Sequence, residues 1–572
     1  MDTPLSPVED IKTASRLLRG SIEASLAEPL TGAMHEDDTH LIKFHGIYQQ
    51  DDRGLRNERR QQRLEPAYQF MIRARIPGGL CTPARWLAMD AIARTYANHT
   101  LRLTTRQTFQ FHGILKRALK PAIAAINAAL SDTLAACGDV NRNVMCTTLA
   151  RPRAIRAEVE ELARELSERL LPKTGAYHEI WLDRKKILST EQETEPMYGA
   201  TYLPRKFKIA VAVPPDNDVD VFSQDLGFVA ILENARIVGF NVTVGGGLGM
   251  SHGEFATFPR VADVLGFCTP TEVLKVATAV LITQRDFGDR TNRKHARLKY
   301  TIETLGLDRF TEEVTARAGF SLAPARGFQF THTGDRSGWQ EDGNGLAHYT
   351  LFVDSGRIDD QPERRALTAL REIATRELAQ FHLTANQNVV LANVPAAARS
   401  EVTEILTRHG VAEGTVTPLR QLALACVGFP TCGLAMAESE RYLSDFVTKI
   451  QVLLANHGLQ DEPIVVRITG YPNGCARPYL AEIGLVGKAP GRYNLYLGAA
   501  FDGSRLNAPY RESLNEGKIL AVLAPLFSRY AQERTAEERF GNFLVRSGIV
   551  PAIQTGPAFA AAAQSLGAMR GG

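Results

Sequence analysis

Three of the seven cysteines lie in the last third of the chain, in segments rich in turn-forming residues. Five residues separate Cys426 from Cys432, and Cys475 ends the segment Tyr471-Pro-Asn-Gly-Cys. A free cysteine is most often a small buried apolar residue. Zinc is the general metal alternative, but the Cys-x5-Cys spacing is unlike a zinc knuckle and no histidine pair completes a site. Iron–sulfur clusters need cysteines delivered from turns, so the pattern indicates a cysteine-held metal cofactor and leaves these alternatives open.

The residues after Cys432 bear on its chemistry. The run Leu434–Glu440 consists of good helix formers. We therefore expect Cys432 near a helix N-terminus, where the helix dipole lowers the pKa of a thiol and favours the ligating thiolate.

Basic side chains recur at alternate positions in segments that resemble strands, where residues two apart share a face. Arg73 and Arg75 share one such face, and Lys206 and Lys208 share another. A strand over Thr100–His112 would put six polar residues on one face, namely Arg102, Thr104, Arg106, Thr108, Gln110 and His112.

That last face contains no acid, whereas a solvent-exposed face usually mixes both signs of charge. Each face alone could still be an ordinary exposed strand face. Arg142, between two amides in Asn141–Asn143, adds a further cation. Arginine binds oxyanions bidentately and lysine supplies a compact charge and a proton. Together the faces predict a site for a polyanionic cofactor or a small anionic substrate.

The hydrophobic pattern predicts the elements that position these residues. Helices are expected over Pro83–Tyr96 and Ile155–Leu171, and a strand over Phe207–Val213. The segment Leu103–Thr108 resembles Leu383–Asn388, and each follows a β-like and a helix-like stretch. We interpret this as a duplicated α+β module with a cofactor between the two copies, although chance could produce so short a match.

Other segments are less regular. Residues 1 to about 60 are expected to form an extended arm with one short helix. Residues 186–200 and 323–346 are expected to be linkers or surface loops, and the tail from Pro551 is expected to fray.

The length of 572 residues predicts about three domains. A net charge of +3 does not favour nucleic-acid binding, so positive charge must be local to be useful. No apolar run approaches the roughly 18 to 20 residues of a membrane span, and no signal peptide is expected. An odd number of cysteines in a long chain argues against a disulfide framework, which favours the cytoplasm.

Five segments carry a resemblance to a known family: Leu103–Gly113, Asn141–Cys146, Leu203–Lys208, Ala425–Cys432 and Pro472–Cys475. In this order they resemble the sulfite and nitrite reductases that contain siroheme and a 4Fe–4S cluster. The resemblance extends from Phe44 to about Gly548. It implies an α+β, three-domain siroheme reductase fold, with duplicated ferredoxin-like modules in a pseudo-twofold arrangement.

The resemblance also implies domain boundaries. An N-terminal arm would cover residues 1–64, and ferredoxin-like repeats would cover residues 65–140 and 347–415. A domain for siroheme and substrate would cover residues 141–346, and one for the cluster and siroheme residues 416–572.

The resemblance implies roles for particular residues. Substrate would be bound by Arg75, Arg142, Lys206 and Lys208. Siroheme would contact Arg102, Arg106, His112, Asn386 and Cys475, and its carboxylates would account for the acid-free face. The cluster would be held by Cys426, Cys432 and Cys475, the last of which would also bridge to the siroheme iron.

One position departs from the family pattern, which is Cys-Pro-Asn-Gly-Cys: its first cysteine is Tyr471 here. Tyr471 could ligate as a phenolate, leave one iron open to water, or yield a three-iron cluster.

The implied activity is the six-electron reduction of sulfite to sulfide in assimilatory metabolism. No nicotinamide or flavin motif is present, so an NADPH-dependent flavoprotein subunit is expected as electron donor, in a hetero-oligomer. The alternatives are a ferredoxin-dependent sulfite or nitrite reductase, and a siroheme protein impaired at Tyr471.

Overall fold

The structure, a computed structural model, describes residues 4–149, 151–173, 180–182, 185–188, 195–343, 345–411 and 416–568. The helices are α1 Pro7–Ala14, α2 Ile22–Ala27, α3 Glu36–Leu41, α4 Arg56–Gln61, α5 Pro83–Tyr96, α6 Lys116–Ala128, α7 Arg153–Arg169, α8 Val273–Phe287, α9 Leu298–Leu305, α10 Leu307–Ala318, α11 Ala366–Thr375, α12 Arg399–Arg408, α13 Pro418–Gln421, α14 Glu440–Ala455, α15 Glu516–Glu533, α16 Phe540–Arg546 and α17 Gly556–Ala568.

The strands are β1 Ile47–Asp51, β2 Tyr68–Arg73, β3 Leu80–Cys81, β4 Leu101–Leu103, β5 Phe109–Ile114, β6 Met145–Cys146, β7 Ile180–Leu182, β8 Lys185–Leu188, β9 Ile209–Ala212, β10 Leu226–Glu233, β11 Arg236–Val244, β12 Asp263–Cys268, β13 Gly338–Gly343, β14 Leu346–Leu351, β15 Arg357–Ile358, β16 Gln380–Leu383, β17 Val389–Pro395, β18 Leu424–Ala425, β19 Val466–Thr469, β20 Ile483–Ala489, β21 Arg492–Leu497 and β22 Ala508–Leu514.

Two antiparallel sheets form the first half of the architecture. Sheet A has the strand order β1-β2-β5-β4-β15, and sheet B has the order β13-β14-β17-β16-β3. Each sheet takes its last strand from the other repeat, since β3 pairs with β16 and β15 pairs with β4. Trp86 of α5 stacks on Phe381 of β16 with ring centroids 4.4 Å apart. The predicted duplication is therefore confirmed, and the two copies share one core.

Two further sheets repeat a second topology. Sheet C has the order β12-β11-β10-β9-β6, and sheet D has the order β18-β19-β20-β21-β22. In sheet C, β6, β9 and β10 are parallel while β11 and β12 are antiparallel. In sheet D, β18, β19 and β20 are parallel while β21 and β22 are antiparallel. β7 and β8 form a separate two-stranded sheet.

The crossing points between sheets A and B require glycine. A Cβ added to Gly79 would lie 2.3 Å from the carbonyl oxygen of Leu383, and one added to Gly356 would lie 2.5 Å from that of Leu103. Both glycines have positive φ, 77° and 73°. Glycine tolerates this region and such a close approach, so each repeat can pass next to the other's turn.

Several predicted elements are confirmed and others are wrong. Helix α5 has the predicted limits, and α7 and β9 lie within one to three residues of theirs. The N-terminal arm is not extended, because it contains α1 to α4, and β1 pairs with β2. The tail does not fray over its described part, because α17 packs its buried Phe559 against Tyr496.

The predicted loop regions differ in part. Residues 323–337 are irregular, but β13 follows and pairs with β14. In the second region, residues 189–194 lie outside the described part of the chain, and residues 186–188 belong to β8. No described helix is long and apolar enough to cross a bilayer.

Between β9 and β10 lies a buried carboxyl group without a counter-charge. Burial and the nearby Asp335 and Asp216 raise the pKa of Asp218 to about 8, although the backbone N–H of Thr148 donates to Oδ2 at 2.7 Å. Its Oδ1 has no hydrogen-bond partner among the described residues. The folded state therefore holds a proton that the unfolded state loses at a lower pH.

We predict that Asp218→Asn removes part of the pH dependence of stability. Because the folded-state pKa is raised, the stability of the native protein falls as pH rises from the ordinary carboxyl pKa to about 8. Relative to the native protein, the variant should gain on the order of 3 kcal/mol of stability between about pH 5 and pH 9. Thermal unfolding across that range tests this, and an equal difference at every pH would contradict it.

Candidate active site

The predicted strand over Thr100–His112 is a hairpin instead. Strands β4 and β5 are joined by a turn in which the backbone N–H of Thr104 donates to the carbonyl oxygen of Thr108 at 3.0 Å. Gln107 has a positive φ of 54°. The turn directs Arg106 away from the sheet toward β9, where it donates to the Ile209 carbonyl at 3.2 Å and to Gln224 Oε1 at 2.9 Å. Arg106 Nε has no partner among the described residues.

A second segment brings two lysines to the same place. The backbone N–H of Phe207 donates to the Val140 carbonyl at 3.0 Å, and that of Arg142 donates to the Phe207 carbonyl at 2.8 Å. Phe207 points into the core with no exposed surface, so Lys206 and Lys208 point to the opposite side. One cavity is lined by both lysines together with Arg106, Arg297 and Cys475. The structure therefore brings together Arg106, Lys206, Lys208 and Cys475, all singled out from the sequence, and adds Arg297 to them.

The electrostatics of this cavity are strongly cationic. Burial, followed by the charges of Arg205, Arg297 and Arg142, lowers the pKa of Lys206 to about 7. Burial and the charge of Lys206 lower the pKa of Lys208 well below its ordinary value. Neither ammonium group makes a hydrogen bond or ion pair with another described residue. Burial, followed by Arg142, lowers the pKa of Arg106 to about 9. Such a group of buried cations fits a polyanionic ligand.

The two arginines at the end of β2 diverge. Arg75 donates two hydrogen bonds to Asp132, from Nε at 2.9 Å and from Nη2 at 2.5 Å, and one to Ser167. Arg73 instead donates to Cys137 Sγ at 3.2 Å, and its Nε has no partner in the described chain. β2 ends at Arg73, so the two residues do not share a strand face as expected. Arg73, not Arg75, is the arginine whose charge acts on Arg106.

Arg142 lies at the edge of this cationic group. Its Nε donates to the Gly138 carbonyl at 2.7 Å. Tyr48 also interacts with Arg142, and despite burial the pKa of the guanidinium is raised. Arg142 is therefore charged and held close to Lys206, whose pKa it lowers.

Arg102 and His112 lie away from the cavity, beside an acid that the local sequence does not contain. Arg102 Nε donates to Glu440 at 2.8 Å, and Arg357 Nε donates to the other carboxylate oxygen at 2.7 Å. Arg357 Nη1 lies 3.4 Å from His112 Nδ1. The face contains no acid of its own, as the sequence showed, but α14 supplies Glu440 to it, so Arg102 is neutralised. Arg102 also donates to the carbonyl of Ala425, next to Cys426.

Asn386 occupies the turn of sheet B that corresponds to Arg106 in sheet A. Its Nδ2 donates to Asp335 at 3.0 Å and to the Asp218 carbonyl at 3.2 Å, and its Oδ1 accepts from Arg477 Nη2 at 3.2 Å. It therefore lies in the hydrogen-bond network beside the cavity, and only Arg477 connects it to the cavity lining.

The three cysteines differ in exposure. Cys426 is buried and its Sγ accepts from the backbone N–H of Gly470 at 3.2 Å, whereas Cys475 is exposed. Among the described residues, no three His, Cys, Asp or Glu side chains are arranged to bind a single metal ion. Thiols spread around a turn suit a multi-iron cluster better than one ion, so the donor set fits the expected cofactor.

The predicted helix after Cys432 is wrong. α14 begins only at Glu440, because the N–H groups of Met436 and Ala437 both donate to the Gly470 carbonyl, at 2.8 and 3.2 Å. Burial and the neighbouring Cys426 and Cys475 raise the pKa of the Cys432 thiol to about 12. No helix dipole activates this thiol, so only a bound cation would make it a thiolate at neutral pH.

Tyr471 begins the turn that ends in Cys475. Asn473 Nδ2 donates to Tyr471 Oη at 2.8 Å and lies 3.8 Å from Cys475 Sγ. Burial, followed by Cys475, Cys432 and Cys426, raises the pKa of the phenol well above its ordinary value. The phenol thus lies close enough to all three thiols for their charges to affect it.

A buried ion pair connects this site to all four sheets. Asp220, between β9 and β10, accepts from Arg467 at 2.6 Å and from Arg477 Nε at 2.5 Å. Arg477 also donates to the carbonyls of Thr105 in the turn of sheet A and Ala385 in the turn of sheet B. Because Arg477 is two residues after Cys475, this network positions the exposed thiol.

We predict that Asp220→Asn destabilises the protein by about 3–5 kcal/mol, because two buried arginines lose their counter-charge. The matched control is Asp342→Asn, in which the side chain is equally buried and pairs with Arg156 at 2.7 Å.

Hydrogen exchange separates the two variants. Only Asp220→Asn should lose amide protection in the turns 104–108 and 384–388. Equal protection of these turns in both variants would show that the ion pair does not position them.

A much larger cavity, of about 980 Å³, lies between residues 329–331, 500–505 and 531–542. Its lining mixes both signs of charge, including Arg534 paired with Glu462. It lies apart from the thiols and the unpaired lysines, so its size does not make it the reactive site.

Comparisons with known proteins agree with this geometry. The family described as "Nitrite/Sulfite reductase ferredoxin-like half domain" matches residues 61–129 and 340–409, and "Nitrite and sulphite reductase 4Fe-4S domain" matches residues 162–322. The chain belongs to the nitrite and sulfite reductase family.

Its relatives include the "Sulfite reductase (NADPH) hemoprotein beta-component" of Myxococcus xanthus, 59% identical over 97% of this chain and 99% of the relative. The protein of the same name from Xanthomonas campestris is 56% identical over 95% of this chain and 96% of the relative. The solved structure of Mycobacterium tuberculosis NirA has the same fold, with a TM-score of 0.75, 23% identity and coverage of 95% and 96%.

Proposed function

We propose that this chain is the hemoprotein component of an assimilatory NADPH-dependent sulfite reductase. It catalyses the six-electron reduction of sulfite to sulfide for cysteine biosynthesis. The observation that carries the proposal is the pair of half-buried lysines, Lys206 and Lys208, which line one cavity with the exposed thiol of Cys475. The full-length relatives named as sulfite reductase hemoproteins support the same activity.

Residues of this chain would hold two cofactors. A siroheme with its many carboxylates fits the cationic cavity, where Arg106 would bind it and Cys475 would reach its iron. A 4Fe–4S cluster fits the turn-borne Cys426, Cys432 and Cys475. When bound, the coupled cofactors supply the sulfite-binding iron and deliver electrons one at a time.

Arg102, His112 and Asn386 would not contact the siroheme carboxylates, and each would act through other residues. Arg102 would hold the Cys426 segment through the Ala425 carbonyl, and His112 would support the Arg102–Glu440–Arg357 network. Asn386 would fix Arg477 and so the turn after Cys475.

The protein's own contribution is to bind the anion and to supply protons. Lys206, Lys208 and Arg142 bind the oxygens of sulfite by charge-assisted hydrogen bonds. Arg73 takes the place that the sequence suggested for Arg75, because Arg75 is already neutralised by Asp132. Each oxygen leaves as water, and Lys206 Nζ, with a pKa of about 7, can donate a proton near neutral pH.

The electron donor would be an NADPH-dependent flavoprotein subunit in a hetero-oligomer, in keeping with the names of the relatives. We propose a cytoplasmic location, because the cytoplasm keeps cysteine thiols reduced and contains NADPH. The expected division into residues 1–64, 65–140 with 347–415, 141–346 and 416–572 stays a proposal, with β1 and β13 added to the ferredoxin-like repeats because they pair in sheets A and B.

We predict that Lys206→Met and Lys208→Met each lower kcat with sulfite about 100-fold while siroheme content stays unchanged. Steady-state assays with an artificial electron donor measure this without the partner subunit. The same assays with nitrite identify the preferred anion. Normal turnover of both variants would refute the role of the lysines, and a higher kcat/KM for nitrite than for sulfite would refute the proposed substrate.

We predict that Arg73→Met raises KM for sulfite at least about tenfold, because a half-buried charge near the anion is lost. The matched control is Arg75→Met, which removes an arginine two residues away that is bonded to Asp132. Arg75→Met should lower thermal stability and leave KM unchanged. An effect on KM from Arg75→Met alone would restore the assignment suggested by the sequence.

A further inference from the structure

The structure fixes the turn that carries Tyr471. The Pro472 carbonyl accepts from the backbone N–H of Met250 at 3.1 Å and from Tyr479 Oη at 3.3 Å. Gly474 has a φ of 70°, and an added Cβ would lie 2.9 Å from the Leu248 carbonyl oxygen. Contacts on both sides therefore hold the turn in place. Only glycine fits at position 474, the fourth residue counted from Tyr471.

The residue before Tyr471 is held by the segment that contains Cys432. The Gly470 carbonyl accepts from Met436 and Ala437, and the Gly470 N–H donates to Cys426 Sγ at 3.2 Å. Gly470 thus contacts both other cysteine-bearing stretches. The backbone at Tyr471 therefore follows directly after a residue that contacts both the Cys426 and the Cys432 segments.

Asn473 relates the phenol oxygen to the exposed thiol. Its Nδ2 donates to Tyr471 Oη at 2.8 Å and lies 3.8 Å from Cys475 Sγ. One amide nitrogen therefore contacts both atoms, which places the oxygen and the sulfur on the same side of the turn. An N–H group that donates to a phenol oxygen also stabilises the oxygen as a phenolate.

No other cysteine can replace the missing thiolate. Cys81 lies in β3, Cys146 in β6 and Cys268 in β12, all buried in other sheets, and Cys137 contacts Arg73. In the described chain, no additional His, Asp or Glu forms a metal-binding group with the three cysteines. Tyr471 Oη is thus the protein atom positioned to act as a fourth donor.

We propose that the phenolate oxygen of Tyr471 is the fourth protein ligand of the iron–sulfur cluster, beside the thiolates of Cys426, Cys432 and Cys475. This inference rests on the proposed function, which supplies the cluster. The phenol transfers its proton to solvent as its oxygen binds iron, and no electron is exchanged in that step. Asn473 is a positioning residue that orients the oxygen.

The test uses the full chain purified without oxygen, as native protein, Tyr471→Phe and Tyr471→Cys. Iron, sulfide and siroheme are quantified, and resonance Raman spectra are recorded by excitation into the visible absorption of the cluster. The native protein should contain four cluster irons and show enhanced tyrosinate ring modes. Tyr471→Phe should lose these modes and one iron per cluster. Tyr471→Cys should keep four irons and lack the modes.

Three results would overturn the ligation. The first is a native protein with four irons but no tyrosinate modes, since the fourth iron would then be open to solvent. The second is a native protein with a three-iron cluster or with none. The third is Tyr471→Phe with the same iron content and spectrum as the native protein.

The proposed function is judged by a separate measurement. Siroheme binding and sulfite reduction by Tyr471→Cys would support the function whichever atom binds the fourth iron. Absence of siroheme from all three proteins would refute the function, and the ligation would fail with it.

Discussion

The Asp220–Arg477 ion pair is the contact at which all four sheets are joined. Asp220 comes from sheet C and Arg477 from sheet D, and Arg477 also binds the turns of sheets A and B. Both residues have left-handed backbone conformations, with φ of 47° and 55°, and each precedes a short 3-10 turn. They hold corresponding positions in the two related sheets. A buried charge pair at this junction is costly to break, so the cavity beside Cys475 keeps its shape.

Beside this ion pair, the protein concentrates positively charged side chains that have no ion-pair partner among the described residues. The half-buried Lys206, Lys208 and Arg106 line one cavity, while nearby acids are already engaged, as Asp225 is by Arg297. Burial of several like charges is unfavourable unless an anion joins them. A carboxylate-rich cofactor and an oxyanion substrate would supply that charge. The cost of placing these like charges close together is thus the physical basis of the site's affinity for anions.

The internal duplication also shows that the two related sheets carry different side chains at matching positions. Thr147 Oγ1 in sheet C accepts from the backbone N–H of Val213 at 2.9 Å, as Cys426 Sγ in sheet D accepts from Gly470. The matching strand registers likewise place Asp218 where the other half has Cys475. One copy therefore has a hydroxyl and a carboxyl group where the other has the thiols of Cys426 and Cys475. The topology is shared, and the chemistry differs by a few side chains.

The sequence alone determined the duplicated α+β fold, the cysteine group and the cationic character around Lys206, Lys208, Arg106 and Arg142. Local patterns suffice for these, because periodicity and motif spacing record neighbours along the chain. Only the tertiary structure decided that Asp132 neutralises Arg75 while Arg73 contacts Cys137, that Glu440 neutralises Arg102 and that no helix starts directly after Cys432. Each of these depends on a partner far away in sequence or on where a strand ends, and local patterns contain no record of either.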